Sequence, residues 1–271
     1  MKAGKKMRIK NKTTLMDPEK FLIIAHRGAS VQAPEHTMAA YRLAKELEAD
    51  YLEVDVQMSK DEVLVSIHDL TVDRTTDGSG VVADMMLSEL KQLDAGSWFN
   101  RKYPDMAKEE YVGQKIPTLQ EIIEEFGESV NYYIETKKPE ENEGVEDELF
   151  ELLGQYNLLD ESLPEGKVVI QSFSEESLKR MRTFSQTIPL IKLEKDPVVG
   201  PDARRRLEEI REYAIGIGTY FERIDDDYVK TAKEVGLLVH LYTVNSAEIA
   251  EKWKAVGAHG IFTDNIPGTR I

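Results

Sequence analysis

Two histidines, an arginine and three acids crowd residues 24–69 of this 271-residue chain: His26, His68, Arg27, Glu35, Glu53 and Asp55. Glu53 and Asp55 alternate with Leu52, Val54 and Val56, and in a strand residues two apart face the same side. Their carboxylates therefore project together, opposite an apolar face. Like charges held that close need a cation between them. Glu135 closes a second apolar run, 130–135, and offers a third carboxylate. Such an oxygen-only set suits Mg²⁺ or Ca²⁺ and is short of nitrogen for zinc. The alternative is that each acid pairs with a nearby base such as Arg27 or Lys137. His26 and His68 can divide the work of base and acid near neutral pH. Arg27 and Lys137 suit phosphate oxygens. Together these groups describe hydrolysis of a phosphate diester, where developing charge must be neutralised. His36, His240 and His259 are read as hydrogen-bonding core residues.

The elements around these residues alternate. Apolar runs near 21, 51, 130, 168, 188, 214, 237 and 260 read as eight main strands. Helical spacing lies between most of them, over 36–47, 119–126, 145–156, 175–184, 202–212, 226–235 and 247–256. Thr37 and Thr118 are candidate helix caps. Residues 63–67 read as a further extended segment ending at His68. Residues 69–117 break the rhythm: a turn-rich run at 73–80, a short helix at 87–93 and an irregular aromatic stretch at 94–100. A segment of that length is more often a functional insertion than a plain connection. The pattern predicts an α/β protein of the TIM (β/α)8 type with a small insertion after the second strand; a doubly wound open sheet is the alternative. The domain reading is an N-terminal arm at 1–20 and one barrel at 21–271, with the insertion at 69–117. A barrel demands chemistry at the C-terminal strand ends. There stand His26-Arg27, Glu53 with Asp55, Glu135 with Lys137, Gln171 with Phe173, Tyr242 with Asn245, and Thr263-Asp264-Asn265; the fifth strand offers only Lys192.

Composition narrows the classes. Net charge is −15, which argues against a nucleic-acid partner and tolerates a cation site. Cysteine is absent, so thiolate metal sites, disulfides and cysteine nucleophiles are excluded. No run of 18 apolar residues occurs, and the basic start MKAGKKMRIKNKTTLMD lacks the apolar segment of a signal peptide. As written the chain reads as cytoplasmic; the alternative is a secreted protein whose signal is absent from this sequence.

The ordered set of motifs resembles the glycerophosphodiester phosphodiesterase family. The resemblance rests on His26-Arg27-Gly28, Pro34-Glu35-His36-Thr37, Glu53-Val54-Asp55-Val56, His68-Asp69 and Asp73-Arg74-Thr75-Thr76 with Gly78 and Gly80. It continues through Ile116-Pro117-Thr118-Leu119, Ile134-Glu135-Thr136-Lys137, Gln171-Ser172-Phe173, Tyr242-Thr243-Val244-Asn245 and Gly260-Ile261-Phe262-Thr263-Asp264. It implies a TIM barrel that hydrolyses glycerophosphodiesters to an alcohol and sn-glycerol 3-phosphate. Glu53, Asp55 and Glu135 would hold one divalent cation, Ca²⁺ or Mg²⁺, with His26 and His68 as general acid and base. Arg27 and Lys137 would bind phosphate; Glu35, Gln171, Phe173, Tyr242 and Asn245 would support the site. The implied route is attack by the neighbouring glycerol hydroxyl, giving a cyclic phosphate that water opens. His36 stands where asparagine is common and Tyr242 where tryptophan is common. With 93–100, these look most like the exported Gram-positive members, some linked to glycerol-phosphate polymers. Such a polymer is thus a further expected partner beside a small diester, with the protein itself a monomer or weak homo-oligomer.

Two rivals are kept. A phospholipase-like relative would need an apolar lip, for which Trp98 and Phe99 are candidates, although a local core is the commoner use of two aromatics. A non-catalytic barrel that binds such diesters would predict a damaged set of histidines and acids, and the set is intact.

Overall fold

Eight parallel strands close into a ring in the computed structural model, which describes residues 15–271. In chain order the elements are β1 (Leu22–Ala25), α1 (Met38–Glu46), β2 (Tyr51–Met58), β3 (Leu64–Ser66), α2 (Leu87–Leu90) and α3 (Ser97–Lys102). They continue with α4 (Leu119–Phe126), β4 (Tyr132–Thr136), α5 (Val145–Gln155), β5 (Val168–Ser172), α6 (Glu175–Phe184) and β6 (Leu190–Glu194). The last are α7 (Ala203–Arg211), β7 (Gly216–Tyr220), α8 (Asp226–Val235), β8 (Leu238–Tyr242), α9 (Ala247–Val256) and β9 (Gly260–Thr263). The order β1-β9-β8-β7-β6-β5-β4-β2 is closed by pairing of β1 with β2, so the parallel ring leaves no free edge. This is the expected TIM barrel.

The strand β3 stands outside the ring. It runs antiparallel to β2, with Ser66 opposite Val56 and Leu64 opposite Met58, on the edge that β1 leaves after Leu52. Glu53 and Asp55 therefore lie in the middle of β2 rather than at its end. The strand outlasts the barrel because β3 continues its ladder.

Alternation sorts each strand. Leu52, Val54, Val56 and Met58 face the helices and join the large outer core with Leu119, Ile122 and Leu149. Tyr51 turns inward, where Leu22, Ile24, Tyr133, Val169, Ile191 and Phe262 fill the barrel floor. Met16 seals this floor, buried under Tyr51. The sequence reading had put Met16 in a polar arm; residues 1–14 of that arm lie outside the described residues. Helix starts follow local chemistry: Thr37 accepts from Ala40 N–H, and Thr118 with Glu121 forms a reciprocal capping box.

The stretch 94–100, expected to be irregular, runs into α3 from Ser97 on. Asp94 accepts from the Gly96 and Ser97 N–H groups and so starts the helix. Burial of Trp98 and Phe99 with Tyr111 and Ala40 holds it against the barrel. That packing came from distant residues, which a local reading of six residues does not contain. Phe99 is core here, while Trp98, largely buried beside it, also lines a cavity next to the barrel mouth.

Candidate active site

The first strand delivers its chemistry through a sharp turn. After Ala25 the chain passes Arg27 at φ 60 and Gly28 at φ 84. A Cβ on Gly28 would lie 2.8 Å from Ala40 atoms, so only glycine lets this turn press against α1. The turn points the Arg27 N–H at Glu53 Oε2, 2.8 Å away. His36, also left-handed at φ 53, reaches inward from the same loop. Strained backbone is thus concentrated beside the carboxylates.

One cavity of about 140 Å³ at the barrel mouth gathers nine of the twelve residues singled out from the sequence. They are His26, Arg27, Glu53, His68, Glu135, Lys137, Gln171, Phe173 and Tyr242. Asp55 lies just beneath, 1% exposed. Glu35 is not in this cavity: its carboxylate is taken by Arg27 at 2.9 Å and by two nitrogens of Arg74 at 2.8 Å. Asn245 is also outside, donating to Asp264 and accepting from its N–H. Lys192 turns away from the mouth, where Glu194 and the carbonyls of Phe173 and Leu193 hold it.

The two histidines are braced alike. His26 Nδ1 donates to Asp264 at 2.7 Å, and His68 Nδ1 donates to Asp69 at 2.6 Å. Each Nε2 is thereby left for chemistry. Burial opposes ionisation of Asp264, but hydrogen bonds from His26, Asn245 and Ser30 hold it down to about 2. Arg74 above all, with His68, holds Asp69 at about 2. Burial, reinforced by the nearby Lys137 and Arg27 charges, pushes His68 down to about 4, so it is neutral at pH 7.

The carboxylates are crowded. Burial, then the charges of Asp55 and Glu135, pushes Glu53 well above the usual range. Burial and Asp55 raise Glu135 to about 8. Asp55 goes the other way despite its burial, because Lys137 and His36 favour its charge. Lys137 sits 2.8 Å from Glu135 and 3.5 Å from Asp55. Yet Asp55 Oδ1 and the adjoining Gln171 Oε1 are buried with no hydrogen-bond donor. A divalent cation fits these acceptors and would relieve the crowding.

His36, Glu53 and Asp55 also bring potential ligand atoms within 4.8 Å of one another. His36 Nε2 lies 2.8 Å from Asp55 Oδ2, while its Nδ1 meets the hydroxyls of Tyr41 at 2.7 Å and Ser66 at 3.1 Å. Those hydroxyls can donate to Nδ1, which leaves the proton on Nε2 for Asp55. His36 therefore fixes one oxygen of Asp55 and leaves the other, Oδ1, facing only Lys137 at 3.5 Å. The sequence reading made His36 a hydrogen-bonding core residue but missed whose oxygen it holds. It also gave no role to Asp69, Arg74 and Asp264, although each stands in a quoted motif beside a histidine or the last strand.

The chain matches the model of the glycerophosphoryl diester phosphodiesterase family over residues 26–267. It is 42% identical over 254 residues to a glycerophosphodiester phosphodiesterase of Bacillus subtilis, covering 94% of this chain and 87% of the relative. A second such protein, from Caldanaerobacter subterraneus, is 36% identical, with 93% and 97% covered. Among solved structures, an Oleispira antarctica phosphodiesterase in complex with the product sn-glycerol-3-phosphate superposes with a TM-score of 0.78 at 31% identity, covering 92% of this chain and 94% of that one.

Proposed function

The chain belongs to the glycerophosphoryl diester phosphodiesterase family, and from that membership and the mouth geometry we propose that it hydrolyses glycerophosphodiesters to an alcohol and sn-glycerol 3-phosphate with one divalent cation. The observation that carries the cation is the crowding of three buried carboxylates, with Asp55 Oδ1 left without a hydrogen bond and only Lys137 near it, at 3.5 Å. Glu53, Asp55 and Glu135 would hold Ca²⁺ or Mg²⁺, hard ions that prefer oxygen ligands. When bound, the ion would supply Lewis-acid neutralisation of the phosphate charge.

The protein's own groups then divide the proton work. Arg27 and Lys137 orient the phosphate from two sides. His68, neutral and on the carboxylate side, takes the proton of the glycerol 2-hydroxyl as its oxygen attacks phosphorus. His26 lines this cavity and the adjoining one, so it gives a proton to the departing alkoxide as the P–O bond breaks. The product of that step is a cyclic 1,2-phosphate. In the second half the roles reverse: His26 deprotonates water, which attacks phosphorus, and His68 returns a proton to the glycerol oxygen. Asp264 and Asp69 favour the imidazolium that each histidine becomes in turn.

The test is a coupled assay for released glycerol 3-phosphate across several diesters, after chelation and after return of Ca²⁺ or Mg²⁺. Loss on chelation and recovery with either ion is expected. Full activity in the chelated protein would remove the cation, and turnover of lysolipid alone would replace the substrate class. The full burial of Phe99 removes one of the two aromatics that the lysolipid reading would place on a lip. Among the described residues no helix is long and apolar enough to cross a membrane.

A further inference from the structure

On the helix side of β6 the barrel buries an ion pair that the reaction does not touch. Lys192 and Glu194 alternate with Ile191 and Leu193, which turn into the barrel. Both charged residues are less than one-tenth exposed, and their charged groups lie 2.9 Å apart. Taking two charges out of water is costly, and an apolar pair of the same volume commonly serves stability as well or better. The pair has to be explained by what it holds.

It holds backbone. The Lys192 ammonium donates to the carbonyl of Phe173 at 3.1 Å and to that of Leu193 at 2.6 Å. Glu194 completes its shell and is itself bound by Arg206 of α7 at 3.0 Å. Arg206 also reaches Glu175 at 3.2 Å, the first residue of α6 and two past Phe173. The link from β5 to α6 is thus fixed at Phe173 by Lys192 and at Glu175 by Arg206. The main-chain carbonyl of Glu194 in turn accepts from the Tyr242 hydroxyl at 3.0 Å. Phe173 and Tyr242 both line the mouth cavity, and both are anchored to the same end of β6.

The anchor matters most for Phe173. At 44% exposure, burial alone does not hold its ring. The ring centre nevertheless stands 6.3 Å from that of Tyr242, edge to face, and 6.0 Å from the Lys137 ammonium. A cation beside an aromatic ring is attracted to it, more strongly where water is excluded. Phe173 so placed steadies Lys137 where it faces the phosphate.

We propose that Lys192 is a positioning residue for phosphate binding: through the Phe173 carbonyl it sets the Phe173 ring against Lys137, and Glu194 and Arg206 keep it there. The proposal rests on the phosphate role given to Lys137 above.

The experiment measures steady-state kinetics on glycerophosphoglycerol, and calorimetric binding of sn-glycerol 3-phosphate, both with Ca²⁺ or Mg²⁺ present. The proteins are wild type, Lys192→Met, Phe173→Ala and the double variant. Where Lys192→Met does not fold, Lys192→Met with Glu194→Gln takes its place, because it removes both charges and keeps the carbonyl that Tyr242 uses. KM and the product Kd should each rise about tenfold in Lys192→Met, the size of a desolvated cation–π contact. The kcat should stay within about twofold, since a contact made alike in ground and transition states shows in KM alone. Phe173→Ala should give the same rise, and the double variant no more than either single change. A lower melting temperature with KM unmoved makes the pair merely structural and overturns the proposal, as does failure of both lysine variants to fold. Effects that multiply to about a hundredfold in the double variant overturn it too, because Lys192 then acts by another route. If the wild type binds glycerol 3-phosphate but releases it from no diester, the hydrolytic reading falls alone and the binding constants still decide the coupling. If it neither binds nor turns over, both fall.

Discussion

The floor and the mouth of this barrel are built from the same strands, yet they treat buried polarity in opposite ways. Along β2, Tyr51 belongs to the floor and Glu53 and Asp55 to the mouth, two and four residues on. On the floor, Tyr133 meets His240 Nδ1 at 2.8 Å and packs edge-on against Tyr51 and Phe262. Glycines at 216 and 218 of β7 leave room for the large residues: a Cβ at 218 would come within 2.5 Å of Leu193 and 3.8 Å of Phe262. The mouth instead collects like charges; both ends leave a buried polar atom without a hydrogen bond, His240 Nε2 on the floor and Gln171 Oε1 at the mouth. The floor favours stability and the mouth gives it up for function. The contrast also has a sign in pH. Burial pushes His240 down to about 3 and His259 to about 4, so the floor resists protonation and loses stability on acidification. At the mouth the two signs meet: Glu135, held near 8, takes up a proton on folding and gains stability over the same descent, while His68, pushed down to about 4, loses it as the floor histidines do.

The largest effects should separate the two ends by kind. His26→Ala and His68→Ala are each expected to lower kcat by about 10³-fold, roughly 4 kcal/mol, with the thermal midpoint nearly unchanged. Steady-state kinetics alongside a melting curve checks both halves. A near-normal rate in either variant removes that histidine from the mechanism. On the floor, Tyr133→Ala should cost about 3–5 kcal/mol of stability while the molecules still folded keep their kcat. Denaturant unfolding with active-site titration measures this, and a variant that is stable but inactive would erase the distinction.

The third effect is smaller and carries the pH sign. Between pH 7 and pH 5 an unfolded histidine takes a proton that His240 refuses in the fold, a loss of about 2 kcal/mol. His240→Gln keeps a polar partner for Tyr133 and cannot titrate in this range. Its stability should fall less steeply on acidification by about that amount. Parallel slopes for variant and wild type would mean that His240 takes up its proton in the fold as readily as in the unfolded chain.

How much of this was legible beforehand follows the same division. The ring, the inward pair on β2 and the capped starts of α1 and α4 are local patterns of period two or 3.6. Chain-wide motif order carried the family. What escaped needed three dimensions. The pairing of β3 on the spare edge of β2 carries His68 over the mouth, and no spacing in 59–68 states which edge is free. Met16 seals the floor because the chain returns beneath Tyr51. Lys192 faces out because Ile191 and Leu193 on either side of it turn into the barrel, and alternation alone does not say which face of that strand is the inner one. The grip of Glu35 on two arginines, and of His36 on Asp55, depends on a left-handed loop. Its only trace in the sequence is Gly28.

The smallest effect sharpens the comparison most. Glu53 is buried, raised in pKa by Asp55 and Glu135, and bound by the Arg27 N–H at 2.8 Å and by Gln171 at 3.3 Å. Glu53→Gln keeps an acceptor for Arg27, and a flip of the Gln171 amide, whose Nε2 now faces Glu53, turns its unpartnered Oε1 to the new N–H. The substitution also removes one of three crowded carboxyl groups that can ionise. In chelated protein at neutral pH this variant should therefore be more stable than wild type, by about 1 kcal/mol. Adding Ca²⁺ or Mg²⁺ should reverse the order, since a ligand that binds only the folded form stabilises by its occupancy and the variant holds the ion less well. Thermal unfolding with and without the ion reads both halves in one experiment. If chelated Glu53→Gln melts below chelated wild type, Glu53 is content in its hydrogen bonds. The mouth would then be no more strained than the floor.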